Sequence, residues 1–137
     1  MSRRKGRILA FQALYSYDVG GEKLDELLTL NWADDKSGVD SETSDFARII
    51  IAGTVNHLEE IDSLIKQHLS ANWDFSRVNR VSVAILRISV FALLYQKDTA
   101  PTIIIDEAIG LSKDFGEDDS FKFINAVLDN IRKELQP

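Results

Sequence analysis

Val78-Asn-Arg-Val-Ser-Val-Ala-Ile-Leu-Arg-Ile-Ser-Val-Phe-Ala-Leu-Leu-Tyr-Gln96 decides the fold class. Val78, Val81, Ile85, Ile88, Ala92 and Tyr95 recur at steps of three and four, the period of an amphipathic helix. Lys97-Asp98 and Pro101 end it, and Pro101 then falls in the first turn of the next helix, where a missing N–H costs little. That helix carries Ile104, Ile105, Ala108, Leu111, Ser112 and Phe115 inward, and Gly116 caps it. Glu117-Asp118-Asp119-Ser120 supplies N-cap groups for a last helix with the stripe Phe121, Ile124, Val127, Leu128, Ile131 and Leu135.

Upstream, Asn72 to Arg77 reads as a connection carrying Trp73 and Phe75. Before it, Phe46, Ile49, Ile50 and Gly53 share one helical face, while Leu58, Ile61, Ile65 and Leu69 share another. The phase slip predicts a bend near Asn56-His57, with Ser41, Thr43 and Ser44 as N-cap candidates. Asp34 to Asp40 is a polar loop, and Lys23 to Trp32 shows helical spacing through Leu24, Leu27, Leu28 and Trp32. A first helix runs from about Arg3 to Asp18 and stops before Gly20-Gly21. The expectation is one all-α domain over residues 1–137, a compact bundle of six or seven helices. Loop 33–43 sets an N-terminal pair apart, which suggests two small subdomains over approximately 1–72 and 73–137.

The 137 residues are 45% hydrophobic and 28% charged, the balance of a soluble globular domain. Cysteine is absent, which excludes a disulfide scaffold, a thiolate metal site and a cysteine nucleophile. The longest purely apolar run, Val90 to Tyr95, is far short of the roughly 20 residues of a membrane span. No secretory signal is recognisable, so a cytoplasmic location is expected. The net charge is −6, yet Arg3, Arg4, Lys5 and Arg7 crowd the first seven positions. An acidic body with a basic tip does not suit wrapping duplex DNA, but it leaves room for a small single-stranded footprint.

On a helical wheel of about 100° per residue, the first helix is apolar nearly all round from Ile8 onward. The charged turn is therefore expected to project past the core, with Arg3 and Arg7 as i,i+4 neighbours and Lys5 pointing elsewhere. Cations at a helix N-terminus oppose the macrodipole by about 0.3–1 kcal/mol each, and guanidinium forks suit a phosphodiester backbone. The alternative is a frayed, solubilising tail. On the last helix, Phe123 lies off the apolar stripe beside Lys122, where it either stacks on a base or packs on a neighbouring helix. Glu117, Asp118 and Asp119 read as a solvated cap rather than a metal cluster. His57 and His68 show no ligand spacing, no phosphate loop is present, and no serine is set up with a base and acid. Neither enzymatic chemistry nor a cofactor or metal is expected.

Four segments together resemble the transcription antitermination factor NusB family. They are Val81-Ser-Val-Ala-Ile-Leu-Arg87, Phe91-Ala-Leu-Leu-Tyr95, Ile105-Asp-Glu-Ala-Ile-Gly-Leu-Ser-Lys113, and the run from Phe115 to Asp129. The arginine-rich start followed by Gln12-Ala-Leu-Tyr15 agrees. The resemblance implies an all-helical fold that binds boxA, a single-stranded element of ribosomal RNA leader transcripts. It implies NusE, a small-subunit ribosomal protein, as partner, and a complex with other Nus factors on RNA polymerase. It assigns RNA contacts to Arg3, Arg4, Lys5, Arg7, Lys122 and Phe123. Partner contacts are implied for Tyr15, Ser82 and Asp119. Ser82 stands where the family often has an acidic residue and is followed by Val83 in place of a basic one. Phe121 replaces a common histidine, Ala126 a glycine and Ile8 a glutamate. Val83 and Phe121 are expected to make the surface more apolar, which favours a homodimer when no partner is present. The same helical module begins some ribosomal RNA cytosine methyltransferases, but no Gly-rich cofactor fold is recognisable here. A protein-only helical adaptor is the alternative function, and a hydrolase using Glu117–Asp119 a more distant one.

Overall fold

Three of the long helices start on a side-chain acceptor for their unpaired N–H groups. Ser2 caps α1 (Arg3–Val19), Asp40 caps α3 (Ser41–Asn56) and Asn79 caps α5 (Arg80–Tyr95). α6 (Pro101–Phe115) starts instead on Pro101. The computed structural model describes residues 1–136, and α2 (Leu24–Leu28), α4 (Leu58–Gln67), α7 (Ser120–Leu135) and a short 3-10 turn at Phe75–Arg77 complete the helices among them. No strand occurs among the described residues. The all-α expectation holds, and the bend falls at His57, whose φ of −114° and ψ of 22° separate α3 from α4.

Several local expectations are corrected. Asp40, not Ser41, Thr43 or Ser44, caps α3, because its carboxylate accepts from both the Thr43 N–H and hydroxyl. Helical spacing over Lys23–Trp32 yields only the five residues of α2. Leu30 takes a left-handed φ of 58° and is buried, so the chain turns to insert it. α7 receives no side-chain cap from the acidic turn. α5 is not amphipathic: every residue from Ser82 to Leu93 is buried. It lies against α1, α3 and α4 as well as α6 and α7, so no face of that stretch is left for water. Val83 is fully buried and adds nothing apolar to the surface, contrary to expectation.

A helix surrounded on all sides must also bury Arg87. Its guanidinium gives two 2.9 Å bonds to Asp62 of α4, and Asp18 of α1 lies 3.9 Å away. Arg80 donates to the same Asp18 at 2.7 Å. Phe75 presents its ring to Arg80, Arg87 and Lys66 at 5.6, 5.7 and 5.2 Å. Apolar packing supplies the bulk of the stability, at about 1.5–3 kcal/mol for each fully buried Leu or Ile. The ionic clamp fixes how α1, α4 and α5 meet.

Candidate nucleic-acid interface

The basic tip is anchored to α3. The Ser2 N–H donates to the Thr43 hydroxyl at 2.8 Å, and that hydroxyl donates to Asp40 at 2.7 Å. The Ser2 side chain accepts from the Lys5 N–H, and the N-terminal ammonium donates to Asp40 at 2.9 Å. Gly6 makes this approach possible, since a Cβ there would fall 2.6 Å from the Phe46 ring. A frayed tail has none of these bonds, so Arg3 and Arg4 are presented on an ordered turn.

The four cations have four different environments. Arg3 is exposed and has no ion pair among the described residues. Arg4 donates to Asp114 of α6 and lies 3.8 Å from Glu107. Lys5 pairs with Asp35 of the 29–40 loop at 3.0 Å. Bonds from the Ser37 hydroxyl and N–H, and then from Lys5, hold the Asp35 carboxyl well below the usual carboxylate range. Arg7 departs from the expectation that the whole charged turn projects. It is 6% exposed, with its guanidinium 5.4 Å over Phe46. Burial lowers its pKa, with Glu107 opposing that shift and Arg3 adding to it. The wheel placed Arg7 beside Arg3, but it could not show that Phe46 of α3 lies over that turn.

Two grooves are lined by residues the sequence singles out. One, of about 620 Å³, is lined by Lys5, Phe11, Tyr15, Trp32, Val81 and Phe115 among others. Tyr15 is 37% exposed there, and Phe115 stands beside Phe11 with ring centroids 5.0 Å apart. The second, of about 820 Å³, is lined by Trp73, Arg77, Asn79, Ser82, Asp119 and Phe123 among others. Ser82 is only 2% exposed at its floor, whereas Asp119 is open to solvent and lies 3.6 Å from Lys122. Phe123 is half-buried against the helical core and also packs on Trp73 of the connection between α4 and α5, with centroids 5.0 Å apart.

Sequence reasoning missed two participants. Lys113, at the end of α6, holds its ammonium 4.8 Å over Phe121, whose ring also faces Lys122 at 6.0 Å. Lys113 follows Ser112 and precedes Asp114, the partner of Arg4, so α6 carries both the tip's carboxylate and one of these lysines. Its one sequence mark is its place in the last turn before Gly116, which it shares with any lysine near a helix end. Trp73 was visible as a large aromatic, but its pairing with Phe123 needed the third dimension.

No group of three or more His, Asp or Glu that could hold a metal ion occurs among the described residues, and no helix is long and apolar enough to cross a membrane. The chemistry available at this surface is that of guanidinium and ammonium groups beside aromatic rings. The fold and site therefore define a small all-helical protein that works by binding. The model of the NusB family matches residues 4–133, and the chain belongs to the NusB family. It is similar to the transcription antitermination protein NusB of Treponema denticola, 52% identical over 134 residues spanning 98% of each chain. The NusB of Borreliella burgdorferi is 38% identical over 95% of this chain and 93% of its own. Among solved structures, T. maritima NusB matches with a TM-score of 0.88 at 34% identity, covering 100% of this chain and 94% of that one. A structure of antitermination factors NusB and NusE in complex with dsRNA matches with a TM-score of 0.85 at 31% identity, covering 96% of each chain.

Proposed function

We propose that this chain is a cytoplasmic, non-enzymatic transcription antitermination factor that grips single-stranded boxA-like leader RNA together with NusE. In this role it joins other Nus factors on RNA polymerase. The observation that carries the reading is the anchored basic turn. An N-terminal segment used only for solubility needs no cap, no bond to Thr43 and no glycine against Phe46. The chain instead holds Arg3 and Arg4 in place although cations there oppose the helix dipole. The phosphate track runs from Arg3 and Arg4 to Lys113 and Lys122, with Lys5 at its border with the Tyr15 groove. Phe123 and its partner Trp73 supply rings for bases. Arg7 acts as a positioning residue, packed behind the turn. Tyr15 and Val81 face NusE from the first groove, and Asp119, with Ser82 beneath it, borders the second. The relatives and the solved complex of NusB and NusE with RNA support the reading.

The test is a titration of boxA-like single-stranded RNA across salt concentrations, with and without NusE and with duplex RNA as competitor. Binding is expected to strengthen with NusE, and the logarithm of affinity to fall linearly with the logarithm of salt concentration. Phe123→Ala is expected to reduce affinity by roughly tenfold or more, with a smaller effect on melting. Salt-independent or absent binding in the presence of NusE would overturn the RNA reading and favour a protein-only adaptor.

A further inference from the structure

Glu107, Gly110 and Asp114 follow one another on α6 at spacings that place them on one stripe. Arg4 lies along that stripe. Its Nη2 donates to Asp114, and its Nη1 faces Glu107 at 3.8 Å. Glu107 Oε2 is buried and accepts no hydrogen bond. Between the two carboxylates, a Cβ on residue 110 would stand 3.3 Å from Arg4 Nη1. Glycine there lets the guanidinium settle onto the helix. Both terminal nitrogens of Arg4 are thus directed at carboxylates of its own chain, and these are the donors that a phosphate would take in a forked contact.

We infer that the Glu107–Gly110–Asp114 stripe is an internal competitor for phosphate, which holds Arg4 until RNA displaces it and so suppresses binding to unrelated strands. The inference rests on the RNA reading above. Arg4 and Asp114 are both substantially exposed, so exchanging carboxylate for phosphate is close to neutral in energy. Arg4 then adds little to sequence-independent attraction, which leaves discrimination to the rings and to the partner. Arg3, with no such carboxylate, makes the first phosphate contact.

Asp114→Asn removes the competitor while leaving Arg4 intact. In the full-length chain, affinity for boxA-like RNA and for an unrelated single strand of equal length is expected to rise about two- to fivefold near 0.1 M salt. The unrelated strand gains more, and the gain shrinks as salt increases. In an Arg4→Ala background the same substitution is expected to have almost no effect, which separates local competition from the general loss of a negative charge. Weaker RNA binding by Asp114→Asn would overturn the inference and make the stripe a positioning device for Arg4. An equal gain with and without Arg4 would overturn it as well. Salt-dependent binding by the wild type with Asp114→Asn neutral sinks this inference alone. Absence of salt-dependent binding by the wild type sinks the RNA reading and this inference with it.

Discussion

Arg87 and Arg4 each sit between two carboxylates of the chain. Arg87, in the middle of α5, gives Asp62 two parallel bonds with its side chain 6% exposed. Arg4, in the first turn of α1, meets Asp114 and Glu107 with its side chain 43% exposed. Water screens the second arrangement and is nearly excluded from the first. The same ionic chemistry therefore clamps helices together in one place and holds a ligand-binding group reversibly in the other. The largest expected difference follows. Arg87→Ala leaves the half-buried Asp62 without its partner and Asp18 with Arg80 alone, and is expected to cost about 3–5 kcal/mol. Arg4→Ala is expected to change stability by less than about 1 kcal/mol. Urea unfolding of the two variants checks this; equal losses would make the tip part of the structural core.

Arg7 divides the tip itself. Its guanidinium lies over Phe46, and removing that buried packing by Arg7→Ala is expected to cost about 1–3 kcal/mol. Arg7→Met keeps most of the packing and discards the charge, and it is expected to keep the slope of log affinity against log salt. Arg3→Ala touches no packing. It is expected to reduce that slope by about 0.7 while leaving melting unchanged or slightly raised. Salt titrations of the RNA complex for Arg7→Met and Arg3→Ala test the division. A reduced slope for Arg7→Met would return Arg7 to the set of phosphate contacts.

Most of the fold was legible because helices declare themselves locally. Gly20-Gly21, Pro101 and Gly116 mark boundaries, and the phase slip at Asn56-His57 marks a break that the structure places at His57. What escaped depended on neighbours distant in sequence. The stripe on α5 hid the fact that helices cover its other faces too, because short Ser and Ala residues among the apolar ones read as a polar side. Arg7 looked like Arg3 until Phe46 arrived from α3. Lys113 carried no local signal that set it apart from any lysine near a helix end. The candidate site was legible at its residue types and at its two ends, α1 and α7. Its internal carboxylates, Asp114 on α6 and Asp35 on the loop, were not, because an ion pair between residues 4 and 114 has no trace in sequence spacing.

The smallest expected effect concerns the anchor that separates an ordered tip from a frayed one. Bonds from the Thr43 hydroxyl and N–H, and then from the N-terminal ammonium, hold the Asp40 carboxyl well below the usual carboxylate range. A carboxylate lowered in this way stabilises the fold above its unfolded pKa of about 3.9. That contribution is lost as pH falls through the folded value. Asp40→Asn keeps an oxygen to cap α3 but has no charge to titrate. The wild type is therefore expected to melt slightly above Asp40→Asn at pH 6, and the gap is expected to close as pH drops below about 4. Because Asp40 holds Thr43, and Thr43 receives the Ser2 N–H, Asp40→Asn is also expected to weaken RNA binding modestly at neutral pH without touching a phosphate contact. Melting curves from pH 2.5 to 7, paired with one RNA titration at pH 7, test both. A gap that is the same at pH 3 and pH 6 would mean that the charge of Asp40 does not anchor the turn, and the contrast between the Arg4 and Arg87 sites would then rest on exposure and not also on how the turn is held.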